Sequence, residues 1–242
     1  MEPRSIVALL TCFAFACSEP EEPSATEAAD EAEAAEDTEP TEALRIPREP
    51  EPEGPEAESV RAAFEGYRRS LIEEDGASAA GRVSANTLEA YQGFRDLALT
   101  GSRAQLEELS MIHRMQVLLF RHRIDADQLE AMTGRTAFAH AVDEAWVGAG
   151  GIDRLEVHHV SVRGDEAAAN VGVGPRPSPD LFHFVKEEGE WRLDLMPSLS
   201  SAEGALRQMA AARGVEENEF LLGMIGSMSG EPATEALFEP PR

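Results

Sequence analysis

From residue 18 to residue 58 the chain holds nothing from which a core could be built. The stretch alternates Glu, Pro, Ala and Thr, has no aromatic residue, and offers only Leu44 and Ile46 as larger apolar side chains. Such a composition cannot bury enough apolar surface to offset the entropy of ordering it, so a disordered tether is expected. Its 16 acidic residues against Arg45 and Arg48 give it a net charge of −14. Like charges stiffen such a segment and prolines extend it; as a coil it would reach on the order of 35 Å. Glu2 and Arg4 cancel in the first 17 residues, which leaves −11 of the chain's −25 to residues 59–242. Acid in this excess argues against nucleic acid as a partner, because phosphate binding needs a basic surface. Residues 59–242 are numerous enough to bury a sizeable core.

The segment before the tether reads as an address. Met1 to Arg4 is short and weakly basic, and residues 5–16 form an apolar run. About a dozen residues are too few to cross a bilayer as a helix, but they suit the apolar part of a secretory signal. Ala14-Phe15-Ala16-Cys17 puts small residues at two of the three positions before a cysteine. It resembles the lipobox of bacterial lipoproteins, although Ala14 stands where Leu is usual and Phe15 is bulky. The resemblance implies cleavage after residue 16, acylation of Cys17 and attachment to the lipid bilayer, with residues 17–58 as spacer. By the same analogy Ser18 implies the outer membrane of a Gram-negative cell. The alternative is an ordinary signal peptide with an incidental Cys17. Cys12 and Cys17 are the chain's two cysteines, so the segment after them has no disulfide, thiolate zinc site or cysteine nucleophile.

Helical periodicity begins at Ser59, with Val60, Phe64, Tyr67 and Leu71 on one stripe and Gly76 as its end. Ser84 caps a second expected helix carrying Leu88, Tyr91, Phe94 and Leu99, closed by Gly101. Ser102 and Gln105 read as a capping box opening a helix to about Arg123 that is apolar almost all round, hence central and buried. A short helix from Asp127 to Gly134 and another over 136–147 follow. After Gly150-Gly151 the period changes to two, predicting strands over 155–163, 167–173, 181–186 and 191–196. The three prolines within 174–180 predict an irregular link. Helices over 200–213 and 216–228, ending at Gly214 and Gly230, close the chain. The expected class is α+β: N-terminal helices packed on the concave face of a curved antiparallel sheet, plus C-terminal helices. The domain limits expected are 59–200 and 201–242.

Helices leading into a meander, the Val162-Arg-Gly-Asp-Glu-Ala167 turn and the last hairpin, Leu181-Phe-His-Phe-Val-Lys-Glu-Glu-Gly-Glu-Trp-Arg-Leu-Asp-Leu195, carry a resemblance. The layout is similar to the nuclear transport factor two-like superfamily, a cone-shaped α+β barrel shared by ketosteroid isomerases and scytalone dehydratase. The resemblance covers residues 59–197 and implies a cone with an apolar interior, in which Phe182, Phe184, Trp191 and Leu193 would line a pocket. The family's acid–base residues find no matching positions here.

A two-residue turn at Glu188-Gly189 sets residues whose numbers sum to 377 opposite one another. Phe184 then meets Leu193 and Phe182 meets Leu195 on the helix side, while His183 meets Asp194 on the other. A His–Asp pair can work as a base with its orienting partner. His158 and His159, adjacent on a strand, face opposite ways unless a bulge intervenes; His159 is then a candidate for the cavity. His140 and Glu144 have ion-pair spacing. The basic stretch from His113-Arg114 to Arg121-His122-Arg123 reads as solvated helix end or anion spot. No phosphate loop, nucleophile elbow or zinc-protease helix is present, and neither cofactor nor metal is implied. The expected function is a non-catalytic envelope lipoprotein binding a small apolar ligand or an envelope protein, with a homodimer through the outer sheet face as a further possibility. The alternative is a small isomerase- or dehydratase-type enzyme using His159, or His183 and Asp194.

Overall fold

The computed structural model describes residues 54–147 and 151–241. The signal, Cys17 and the tether up to residue 53 lie outside them. Helix α1 (Ala57–Ile72) starts two residues before the expected Ser59 and buries Val60, Phe64, Tyr67 and Leu71, the stripe its spacing predicts. Gly76 does not end a helix but opens one. Asp75 caps the five-residue α2 (Gly76–Ala80) by accepting from the Ser78 amide at 2.9 Å. A Cβ at Gly76 would collide with the Ala139 carbonyl, so glycine is needed here for close approach rather than for a turn.

Helix α3 (Ala85–Thr100) has Ser84 as its cap and ends at Gly101, as expected. The Ser102–Gln105 capping box is present, but α4 (Arg103–Glu107) stops after one turn. The expected continuous helix to Arg123 breaks because Ser110 caps a new one, α5 (Met111–Arg123). Seven apolar side chains of α5 are buried around its whole circumference. The short helix expected from Asp127 is α6 (Ala126–Ala131). Gly134, its expected end, instead begins α7 (Gly134–Asp143), which stops short of residue 147; Ala145 at φ 55° ends it and turns Trp146 back into the core.

The four strands are β1 (Leu155–Arg163), β2 (Glu166–Val173), β3 (Arg176–Glu187) and β4 (Glu190–Asp194), one antiparallel sheet in that order. Rows of opposed residues build its helix-bearing side: Val162, Ala167, Phe184 and Leu193 in one, Val160, Ala169 and Phe182 in the next. Helix α1 lies against this side, with the Phe64 ring 5.7 Å from Phe182. The expected irregular link shrinks to Gly174 and Pro175. Residues 176–180 belong to β3, and a register shift beyond Asn170 absorbs the prolines, which cannot donate to a regular ladder.

The 377 register holds for His183 with Asp194, Phe184 with Leu193 and Val185 with Arg192. Phe182 and Leu195 do not pair, because β4 ends at Asp194 and Leu195 starts the next helix. In the hairpin turn Glu188 has φ 52° and Gly189 φ 85°, the mirror-image turn in which glutamate is strained. Glu188→Asn, with a residue that tolerates this geometry, is expected to raise stability by about 0.5 kcal/mol, read as a higher urea midpoint at unchanged slope.

Each sheet margin is met at part of its length by a neighbouring segment. Along β4, the Leu193 amide donates to the Arg82 carbonyl and the Ser84 amide to the Leu193 carbonyl, each at 2.9 Å. Along β1, Arg61 of α1 donates to the carbonyls of Val157 at 2.6 Å and His158 at 3.3 Å. Helices α8 (Met196–Arg213) and α9 (Glu217–Ser229) end at left-handed Gly214 and Gly230. The expected limit between residues 200 and 201 therefore falls inside α8. The C-terminal helices pack on α5, and Phe238 of the following turn is fully buried. They complete one core with the rest.

Candidate functional site

The strongest polar candidate, His183 with Asp194, is paired in register, yet Asp194 is used elsewhere. Its carboxylate accepts from Asn86 Nδ2 at 3.0 Å, from the Thr87 hydroxyl at 3.3 Å and from the Met196 amide at 3.1 Å. It therefore serves the N-termini of both α3 and α8, where a negative charge is favourable. The Thr87 hydroxyl accepts in turn from the Leu195 amide at 3.0 Å, and Glu187 takes the Ala85 amide at 2.9 Å. Among the described residues no hydrogen bond joins Asp194 to His183. The arrangement locks the β3–β4 hairpin to α3, which is a structural duty.

His159 departs from its expected position for a definable reason. The β1–β2 register jumps between Val157 and His159, so His158 is an inserted residue. Before the bulge Leu155 and Val157 face the helices; after it Val160 and Val162 do. The insertion keeps the apolar residues inward and turns His159, with Ser161 and Arg163, to the opposite side. His158 Nε2 is enclosed without a hydrogen-bond partner.

Phe184, Trp191 and Leu193 are buried in the core, and Phe182 is half-buried against it. Lys186 lies 5.5 Å over the Trp191 ring and pairs with Glu56 at 2.8 Å, fastening the start of α1 to the sheet. A shallow groove of about 430 Å³ lies elsewhere, along α9, lined by Leu222, Gly223, Gly226, Gly230, Glu231 and Pro232. Beside it His122 Nε2 stands 2.8 Å from Ser229 Oγ, a spacing that suits a nucleophile and its base. The hydroxyl, however, already accepts from the Glu231 amide at 3.1 Å and lies 2.9 Å from the Glu231 carbonyl and 3.3 Å from that of Gly226. Its oxygen takes the Glu231 amide and its hydrogen has two carbonyls within reach besides His122, so its surroundings are those of a helix cap. His140 makes no ion pair with Glu144 among the described residues; its ring meets Trp146 edge-on at 5.3 Å.

The basic stretch of α5 is where the structure most changes the reading. Arg114 and Arg121 are not solvated helix ends. Arg114, 6% exposed, donates to the carbonyls of Leu106, Glu107 and Leu109, closing the C-terminus of α4. Arg121 does the same for α3 through Leu97 and Ala98, each near 2.9 Å, and also holds the Leu237 carbonyl at 2.9 Å. Arg95 takes Leu129 at 2.9 Å and Glu130 at the end of α6, and Arg135 takes Ala80 at the end of α2 at 2.7 Å. A guanidinium fork suits the unpaired carbonyls and negative pole of a helix end. The sequence carried one clue to this: Arg114 sits inside an apolar run whose whole circumference must be buried.

Among the described residues no group of three or more His, Cys, Asp or Glu is placed to hold a metal ion, and no helix is long and apolar enough to cross a membrane. Burial pushes the Tyr67 and Tyr91 hydroxyls far above the ordinary tyrosine range, and the two reinforce each other at Tyr67. No protein-family model, curated protein or solved structure matches the chain.

Proposed function

We propose that this chain is a lipid-anchored protein of the cell envelope whose folded part is a non-catalytic module for binding another envelope protein. Acylated Cys17 is the anchor and the acidic tract the spacer, as in outer-membrane lipoproteins of Gram-negative cells. What supports the non-catalytic part is a single observation: the polar side chains of the meander are turned to structural work or away from the apolar interior. Asp194 serves two helix N-termini, and the bulge at His158 turns His159 outward. An isomerase- or dehydratase-type reading needs these groups to converge on one cavity, and nothing in their surroundings favours it. Binding of a small apolar ligand is weakened too, since Phe184 and Leu193 are each 1% exposed in contact with the core. The kinship with the nuclear transport factor two-like superfamily belongs to the same proposal, on the strength of the quoted hairpin.

The test is the intact mass of the mature protein extracted from membranes. A chain beginning at Cys17 and carrying the mass of a diacylglyceryl and an acyl group is expected, since two or more chains are needed for stable attachment. Cys17→Ala should move the protein from the membrane to the soluble fraction. An unmodified Cys17, or cleavage at another residue, overturns the proposal. For the domain, light scattering at micromolar concentration distinguishes a monomer awaiting a different partner from a self-paired module.

A further inference from the structure

The first two turns of α8 are less deeply buried than the part of that helix around Leu206 and Ala210. Residues 196–204 read Met-Pro-Ser-Leu-Ser-Ser-Ala-Glu-Gly, a poor helix-forming set. Ser200 and Ser201 bond back to the carbonyls of Met196 and Pro197, each at 3.1 Å, an arrangement that competes with and bends a helix. The Ser198 hydroxyl is enclosed with no partner. The fully buried residues of α8, Leu206 and Ala210, both come later, and within 196–203 the apolar anchorage is the partly buried Met196 and Leu199.

Two carboxylates add to that packing. At the start, Asp194 accepts from the Met196 amide. At the end of the second turn, Glu203 reaches across to the N-terminus of α5. One oxygen accepts from the Met111 amide at 3.0 Å, the other from the Ile112 amide at 2.9 Å. It thus satisfies two donors that α5 itself cannot, at the positive pole of that helix.

We propose that residues 196–203 form an acid-released flap: protonation of Glu203 frees these two turns from α5 and β3 while the rest of the domain stays folded. The groups around Glu203 are few. From α5 come the two amides and His113, whose ring lies 5.2 Å from Phe94 of α3 and whose Nε2 is enclosed without a partner. From α8 comes Arg207, 2.9 Å from Glu203 and 3.5 Å from Glu217 of α9. Glu217 in turn stands 3.9 Å from Arg114. On β3, Lys186 is engaged by Glu56. Partial burial acts to raise the Glu203 carboxyl, but the Ile112 and Met111 amides and Arg207 outweigh it and hold it below its ordinary value of 4.5. The stabilisation it supplies is therefore complete above that value and is lost as pH falls through the depressed one. Burial holds His113 below its ordinary 6.5 against the pull of Glu203; its neutral form likewise supports the fold above 6.5 and less below. Both act in the same direction. Helix α9 does not follow the flap, because Phe220, Leu221, Leu222, Met224 and Ile225 bury its inner side.

Hydrogen exchange by mass spectrometry on the full chain, between about pH 7 and about pH 2.5 with intrinsic rates corrected, tests this, since a carboxyl held below its ordinary value gives up its contribution only below that value. Amides of 198–203 should lose protection before those of α5 or α9. In Glu203→Gln they should be at least about tenfold less protected at neutral pH already, the scale of a lost charge-assisted hydrogen bond. Protection of 198–203 that persists until α5 and α9 exchange, or a Glu203→Gln protein protected like the wild type at neutral pH, overturns the proposal. Should Glu203→Gln fail to fold, the order of exchange in the wild-type pH series decides alone.

Discussion

Arg114→Met is expected to cost about 3–5 kcal/mol of stability, read as a lower urea midpoint at unchanged slope. The side chain is nearly fully buried, and its guanidinium holds the carbonyls of Leu106 at 3.0 Å, Glu107 at 3.0 Å and Leu109 at 3.1 Å while touching Asn218 of α9. Methionine keeps much of the volume but leaves those carbonyls enclosed without a donor, and an unsatisfied buried acceptor costs about 1–3 kcal/mol. The contact with α9 is lost as well. Arg114→Lys should recover less than half of the deficit, because one ammonium cannot serve the positions of a planar fork. A loss below about 1 kcal/mol in Arg114→Met would mean that water replaces the guanidinium and that the clamp is dispensable.

Tyr91→Ala is expected to cost about 3–5 kcal/mol by leaving a cavity where an aromatic ring stood. That ring meets Phe138 edge-on at 4.9 Å, Phe94 at 5.6 Å and Phe120 at 6.2 Å, so α3, α5 and α7 share it. Tyr91→Phe keeps the ring and should fall within about 1 kcal/mol of wild type, since only the hydroxyl goes. A pH dependence accompanies this. Tyr67 and Tyr91 are the chain's two tyrosines, and burial holds both hydroxyls protonated beyond the ordinary 10.0. A raised value means stability that is complete below 10.0 and declines as pH rises above it, where only the unfolded chain ionises. Near-ultraviolet absorbance should therefore show no tyrosinate until circular dichroism shows unfolding. Ionisation of either tyrosine in a folded protein would contradict their burial.

The parts legible in the sequence are those where one local signal has one structural meaning. The stripe Val60, Phe64, Tyr67 and Leu71 fixes the inner side of α1, and Glu188-Gly189 between alternating strands fixes the last hairpin to the residue. Side-chain caps behaved likewise, as Ser84 and Ser102 show. What escaped depends on a second segment that the sequence does not place nearby. At the break before α5 the local cap is Ser110, but the acceptor for the Met111 and Ile112 amides is Glu203, some ninety residues away. The glycine at 76 needs the Ala139 carbonyl. The bulge at His158 is signalled only by Leu155 and Val157 being out of phase with Val160 and Val162, and a strict alternation read through it reverses the side on which His159 lies. The same lesson applies to Asp194, whose register was readable and whose partners in α3 were not.

The partial cover on both margins of the sheet has a consequence for crowding. An uncovered edge is a template on which a neighbouring chain can zip its backbone. Here Arg82 and Ser84 occupy one rim, while Arg61 and a kink at His158 spoil the other. Copies brought close together would find the ladder interrupted at Leu193 on one rim and at Val157 and His158 on the other, which hinders fibre-like growth.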